Sequence, residues 1–346
     1  MTLRIKAPAR QVRPGGAIYV LLVSLILLSV GANTSCKSFL APEKVPPKSA
    51  AASQKKKSQT SEGTNDEATG TIIARLEDAS IDESSGLVAS RRNPGLFWTH
   101  NDSGDGPLIF AFDRQGRKRG VFLVDGAKAR DWEGIAIGSG PERGRSYLYI
   151  GDIGDNNYSR EQIVIYRLPE PVIEPGDAGS SRNNPRRTEK AEVIRARYPD
   201  GTHDAETLMV RPETGDIYIA TKTPGPTSGI YKLAAPPSTS NVNTLARVGE
   251  VSISGLFGGM ITGGDISPDG RRVVLCDYVN AYELRLDGDS DAAFDLIWQQ
   301  PPVTIHLGSR NQGEAVCYSL NGAAILATSE GPHTPLIEVE LHQPAK

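Results

Sequence analysis

Aromatic residues make up only 6% of the 346-residue chain. Beyond residue 32 no apolar run approaches the ~20 residues that cross a bilayer as a helix, which excludes a multi-pass membrane protein. Cysteine is nearly absent: Cys36, Cys276 and Cys317 are the three, and no pair has zinc-ligand spacing. The chain also lacks a G-x-S-x-G nucleophile elbow, a G-x-x-x-x-G-K-[ST] phosphate loop and an H-x-x-x-H pair, so serine-hydrolase, P-loop and two-histidine zinc chemistry are without their residues. Positive charge is missing where a nucleic-acid binder needs it. Residues 1–57 hold ten Lys/Arg against one Glu, which leaves 28 basic and 40 acidic residues in the remainder. That body repels phosphate backbones and attracts cations, so nucleic acid is excluded as the main partner.

What is present begins with an address. Arg4, Lys6, Arg10 and Arg13 precede an apolar stretch from Ala17 to Ala32, the order of a bacterial secretory signal, and 16 residues is short for a bilayer span. Residues 1–36 are therefore a signal peptide or membrane anchor, with three outcomes open. These are cleavage after Val30-Gly31-Ala32, lipid attachment at Cys36 as in a lipoprotein, or a retained anchor. All three place the body outside the cytoplasm, secreted, periplasmic or held at the cell envelope, with membrane association only through this segment. Residues 37–68 are Lys, Ser, Ala, Pro, Thr and Gln with almost nothing to bury, a disordered tether.

Residues 69–346 read as one repetitive domain. Five segments each place an acidic or polar residue and a small residue before a short apolar strand: Glu83–Ser90, Asp131–Ile137, Asp204–Val210, Thr262–Ser267 and Gln312–Tyr318. Their starts near 85, 133, 206, 264 and 314 are 48, 73, 58 and 50 residues apart, and the longest interval contains an insertion at 169–190. Second and third strands follow each start. Fourth strands are expected at 120–124, 192–198, 244–253 and 294–298. Four short strands per 40–50 residues predict an all-β fold, a β-propeller of five blades of four antiparallel strands. The last unit has three strands before the chain runs out, and Thr71–Leu76 is an orphan strand ahead of the first. Pairing the two closes the ring and leaves no open edge. A six-bladed ring and a pair of β-sandwiches are the rival architectures.

Strand direction places residues before a first strand and after a second strand on one face of the disc. Nearly every acid-containing motif lies there, whereas 90–94 and 268–270 on the other face read as ordinary hairpin turns. Taken together, Ser84-Ser-Gly-Leu, Trp98-Thr-His-Asn-Asp-Ser-Gly104, Asp131-Trp-Glu-Gly-Ile-Ala, Tyr149-Ile-Gly-Asp-Ile-Gly-Asp-Asn156 and Thr262–Gly270 resemble secreted bacterial propellers of unassigned activity. In outline these are similar to the phytase-like and gluconolactonase-like propellers. The resemblance covers roughly 70–343 and implies a secreted propeller with a metal-capable channel mouth. No complete phytase or lactonase motif matches position by position. Phosphate holders in particular are few, with Lys222, Arg130 and Arg160 the placed cations.

Carboxylates and Asn carbonyls crowded at a narrow mouth repel one another unless a hard cation sits between them, and calcium takes six to eight such oxygens in flexible geometry. Glu133, Glu206, Asp152 and Glu314 are the expected ligands, with Asp102 and Asp265 behind them. His100, Asn101, Asp131, Asp155, Asn156, His203, Lys222, Asp277 and Glu330 are the expected ligand-contact residues. The alternative is that strand-end acids cap turns and hold blades together. Asp287-Gly-Asp-Ser-Asp291 imitates the start of an EF-hand loop but lacks its Gly and closing Glu, and reads as a polar hairpin. The 255–264 segment is either a lid over the mouth or inter-blade packing. Trp98 and Trp132 read as core. Cys276 and Cys317 read as buried thiols, with an inter-blade disulfide as the alternative. Two functions fit a monomer of this kind. One is an envelope-located, calcium-binding module for a small molecule, glycan or protein. The other is a calcium-dependent hydrolase of phosphate esters or lactones, with an Asp or Glu as general base and the metal activating water.

Overall fold

Short β-rich segments separated by glycine and polar turns cannot bury their apolar faces alone, and here they stack radially. In the computed structural model, residues 69–253, 260–286 and 291–341 are described. The expected leader and tether, the first half of the 255–264 segment and all but the last residue of the EF-hand-like string lie outside them. Twenty-two strands follow in order: β1 (Thr71–Arg75), β2 (Ser84–Ala89), β3 (Leu96–Asn101), β4 (Leu108–Asp113), β5 (Lys118–Leu123), β6 (Trp132–Ser139), β7 (Ser146–Asp152), β8 (Ile163–Pro169), β9 (Arg186–Arg187), β10 (Glu192–Arg197), β11 (Ala205–Val210), β12 (Ile217–Thr221), β13 (Thr227–Leu233), β14 (Asn243–Thr244), β15 (Ala246–Ser252), β16 (Gly263–Ile266), β17 (Arg272–Cys276), β18 (Asn280–Arg285), β19 (Val303–His306), β20 (Gly313–Tyr318), β21 (Ala324–Ser329) and β22 (Pro335–Glu340). They form five sheets, a five-bladed β-propeller. Blade I is β2-β3-β4-β5, blade II β6-β7-β8-β10, blade III β11-β12-β13-β15 and blade IV β16-β17-β18-β19. Blade V is β20-β21-β22 completed by β1. The orphan strand closes the ring as expected, with Ile72 opposite Ile337 and Arg75 opposite Pro335.

The small residues of the repeat are explained by the axis. The first strands β2, β6, β11, β16 and β20 each touch the next around the ring. At Gly86 a Cβ would lie 2.8 Å from the Ile135 backbone nitrogen, so the β2–β6 seam admits only glycine at that point. Between blades, five apolar clusters fill the wedges. One joins Trp98, Ile109 and Phe122 of blade I to Trp132, Ile135 and Leu148 of blade II. Trp98 and Trp132 are thus core residues, and their indole N–H groups donate to Glu170 Oε1 and the Lys128 carbonyl, both at 3.0 Å. Cys276 and Cys317 are free, buried thiols, so the disulfide alternative falls.

Two expectations need correction. The 294–298 segment is not a fourth strand but part of a 3-10 helix, Asp291–Gln299. Phe294, Ile297 and Trp298 are buried at helical spacing, and the outer strand of blade IV follows two prolines later as β19. Blades I and II also have five strands rather than four. The 169–190 insertion leaves blade II and lays β9 parallel along β5, and β14 does the same along β10, so each outer edge is covered by a short segment of later chain. Among the described residues no helix is long and apolar enough to cross a membrane.

Candidate functional site

The acidic face is built by β-bulges. In β6 the register jumps between Trp132 and Gly134, in β11 between Ala205 and Thr207, and in β20 between Gly313 and Ala315. The extra residues are Glu133, Glu206 and Glu314. A bulge inserts one residue against none on the partner strand and re-aims its side chain. Three glutamates from three blades are thereby turned to the axis, 3%, 5% and 4% exposed respectively. The irregularity in β2 falls over Ser85 and Gly86, and β16 has no bulge and no acid at this level, which leaves the ring asymmetric. Glu206 and Glu314, with residues of all five first strands, line an axial cavity of about 10 Å³. That is room for one water at most, so the mouth is a blind depression rather than a pore.

Around the glutamates stand loop acids. Asp102, Asp131 and Glu133 each bring a carboxylate oxygen within 4.8 Å of the others. Carboxyl hydrogen bonds join Asp102 to Glu133 and Glu314 to Glu330, and the Gln312 amide donates to both Glu314 Oε1 and Glu330 Oε1 at 2.7 Å. Lys222 pairs with Glu206 Oε1 and lies over the Tyr278 ring, 5.6 Å from its centre. The second oxygen of Glu206, Oε2, is buried with no hydrogen-bond partner among the described residues.

Burial and mutual repulsion raise these acids together. Burial carries Glu206 to about 8 against the pull of Lys222, with Glu314 adding repulsion. Burial and then Glu330 carry Glu314 to about 8. Glu133 is pushed well above the carboxylate range by burial, then by Glu206, Asp102 and Asp131. Asp131 rises to about 6 through burial and Asp102. Burial opposes the Lys222 charge, but Glu206 and Tyr278 hold its ammonium above the ordinary lysine range. One ammonium cannot neutralise so many carboxyls, and the cluster therefore shares protons near neutral pH.

The loop after β7 forms the wall. The Gly154 backbone presses on the cluster so closely that a Cβ would lie 2.5 Å from Glu133 Oε1 and 2.6 Å from Asp131 Oδ2. Arg160 holds this loop in place, donating to the carbonyls of Gly154 (2.7 Å) and Asp152 (3.0 Å). Its guanidinium also pairs with Asp152 Oδ1 at 2.7 Å, both side chains being buried.

Several expected site residues are engaged elsewhere. Asp152 is committed to Arg160 and to the Arg130 N–H rather than open to a metal. Asp265 lies on the far side of the throat, where burial raises it to about 6 while the N–H groups of Tyr318 and Ile266 and the charge of Arg91 oppose the rise. His100 is wholly buried, donates Nδ1–H to the Asn101 carbonyl at 2.8 Å and is lowered to about 4 by desolvation, so it is a neutral core residue. The Asn101 amide is spent on Ser80, Asp82 and Asp105. Asp155 caps its own loop through the Arg160 N–H and Ser159, and Asn156 is exposed beside it. His203 packs among Tyr198, Tyr231 and Asp200. Asp277 accepts from the N–H groups of Val279 and Asn280 and from the Tyr282 hydroxyl, a turn cap. Asp102, Asp131, Glu133, Glu206, Lys222, Glu314 and Glu330 do come together. Gln312 and Tyr278 join them without having been singled out. Gln312 opens the fifth repeat segment, and its position one glycine before Glu314 is the signal the sequence carries for it. No family model matches the chain, and no curated protein matches it.

Proposed function

We propose that the acidic mouth binds calcium and that, through it, this exported propeller engages a small ligand, glycan or protein. The observation that carries the reading is Glu206 Oε2, buried without a hydrogen-bond partner among the described residues, beside the converging carboxylates of Asp102, Asp131 and Glu133. Opposed ligands on a calcium ion stand about 4.6–5.2 Å apart, so the oxygens of Asp102, Asp131 and Glu133, mutually within 4.8 Å, fit one ion. Asp102, Asp131, Glu133 and Glu206 would hold it. When bound it would supply the positive charge that Lys222 alone does not. The blind throat keeps a ligand at the surface, and the leader sequence supports export. A hydrolytic reading has one observation in its favour, the Lys222–Tyr278 pair beside Glu206, which puts a cation and a phenol where an anionic ester would sit.

The test is metal analysis of the purified protein and calorimetric titration with calcium after chelation. One calcium per chain supports the reading, and absence of a calcium isotherm removes it. A phosphatase and lactonase screen of the loaded protein and of Lys222→Ala then separates binding from hydrolysis. The wall makes a sharper prediction. In Gly154→Ala the obstacle to the new Cβ is two carboxylate ends, so the fold persists by circular dichroism. The carboxylates must swing apart, and calcium affinity falls by about tenfold or more.

A further inference from the structure

The face opposite the mouth carries a different chemistry. Arg91 and Arg92 stand on the β2–β3 hairpin and, with Ser139, Arg145 and Ser146, line a groove of about 580 Å³ between blades I and II. That size suits a small-molecule ligand. The hairpin is rigidly mounted. Buried Glu170 accepts from the Ser90 hydroxyl, the Arg92 N–H (3.0 Å), the Trp98 indole (3.0 Å) and the Ser146 hydroxyl (2.5 Å). Asn93 adds bonds to Pro171 and Ile173 at 2.9 Å each. The backbone of the hairpin is fixed, yet among the described residues neither arginine side chain makes a hydrogen bond or an ion pair. Arg145, by contrast, is already held by Glu142 and Glu189. Asp265 is the acid whose field reaches Arg91, and its own oxygens are occupied by backbone N–H groups.

We propose that this groove is an anion site in which Arg91 and Arg92 grip a phosphate-bearing ligand. A guanidinium forks onto two oxygens at once, so one arginine satisfies a planar carboxylate, whereas two adjacent arginines call for the tetrahedral oxygen set of a phosphate group. The hydroxyl-bearing, partly apolar floor suits the organic portion of a phosphate ester. Pre-mounting of the hairpin lowers the ordering cost of binding. The site is separate from the calcium-binding mouth and independent of it.

The experiment titrates the purified protein, in chelator, with inorganic phosphate and phenyl phosphate, and in parallel with phosphatidylglycerol and phosphatidylcholine vesicles. Binding of the soluble phosphates alone assigns a soluble ligand, and selective binding of phosphatidylglycerol vesicles assigns a lipid headgroup. Either supports a phosphate site. Arg91→Ala with Arg92→Ala is expected to weaken binding by about tenfold or more, as loss of charge-assisted hydrogen bonds requires, while the calcium response is unchanged. Phosphate should shift the amide resonances of 90–93 and 138–146 and leave those of 131–133 in place. No phosphate binding by the wild type, an unaltered affinity in the double variant, or shifts confined to other residues overturns the proposal.

Discussion

Replacing Glu133 and Glu206 together by glutamine is expected to abolish the calcium-dependent rise in Tm that the proposed site entails and, without calcium at pH 8, to leave the protein more stable than the wild type. A ligand at 100 times its Kd stabilises by about 2.7 kcal/mol, which in a domain of this size is a rise of roughly 5–10 °C. Both glutamates are buried on bulges and aimed at the same axis, so their amides keep the shape and remove two charges. The opposite signs separate site from scaffold. If the acids merely tied blades together, the double variant would lose stability with or without calcium. Lys222 is not stranded by the change, because Asp102 and Glu314 still feel its charge. Thermal melts of both proteins in calcium and in chelator decide the matter, and an unchanged calcium response in the variant sinks the metal reading.

The second large effect is with pH. Glu206 and Glu314 titrate at about 8 in the folded protein and Glu133 is pushed well above its ordinary range by burial, whereas unfolded glutamate titrates near 4.5. Between those limits the folded chain holds more protons than the unfolded one, so stability falls as pH rises. The contribution is fully present below pH 4.5 and is lost as pH climbs through about 8. Metal-free protein should therefore lose on the order of several kcal/mol from pH 5 to pH 8.5, roughly 10 °C in Tm. Calcium, which favours the ionised carboxylates, should flatten or reverse the slope. A metal-free Tm that rises over this interval contradicts the buried, uncompensated cluster.

Much of this was legible in the sequence. The recurring step of an acidic or polar residue and a small one marks all five first strands, because a propeller axis demands both a tight seam and an exit to one face. The orphan strand at Thr71 announced ring closure. Less legible was which acids are free. Asp277 and Glu206 look alike as strand-end acids, but one caps a turn of its own loop and the other is lifted to the axis by a bulge. A one-residue shift reverses the side of a strand, and sequence alternation carries no mark of it. Asp152 is engaged by Arg160, which folds back upon it from eight residues on, a pairing the local sequence does not display. An alternating strand likewise gives no sign that His100 is pressed against the neighbouring blade. The helical spacing of Phe294, Ile297 and Trp298 was present, but three residues are too few to outweigh an apolar run in a β-rich context.

The pairing of β1 with β22 has a bearing on biosynthesis. β1, the earliest of the described strands, finds its partner in β22, the latest of them, so the circle cannot lock until every described strand has been made. Until then blade V lacks its rim, and the polypeptide stays open to threading. Under the export proposed above, this delay would keep the molecule in a form that a translocation channel can pass.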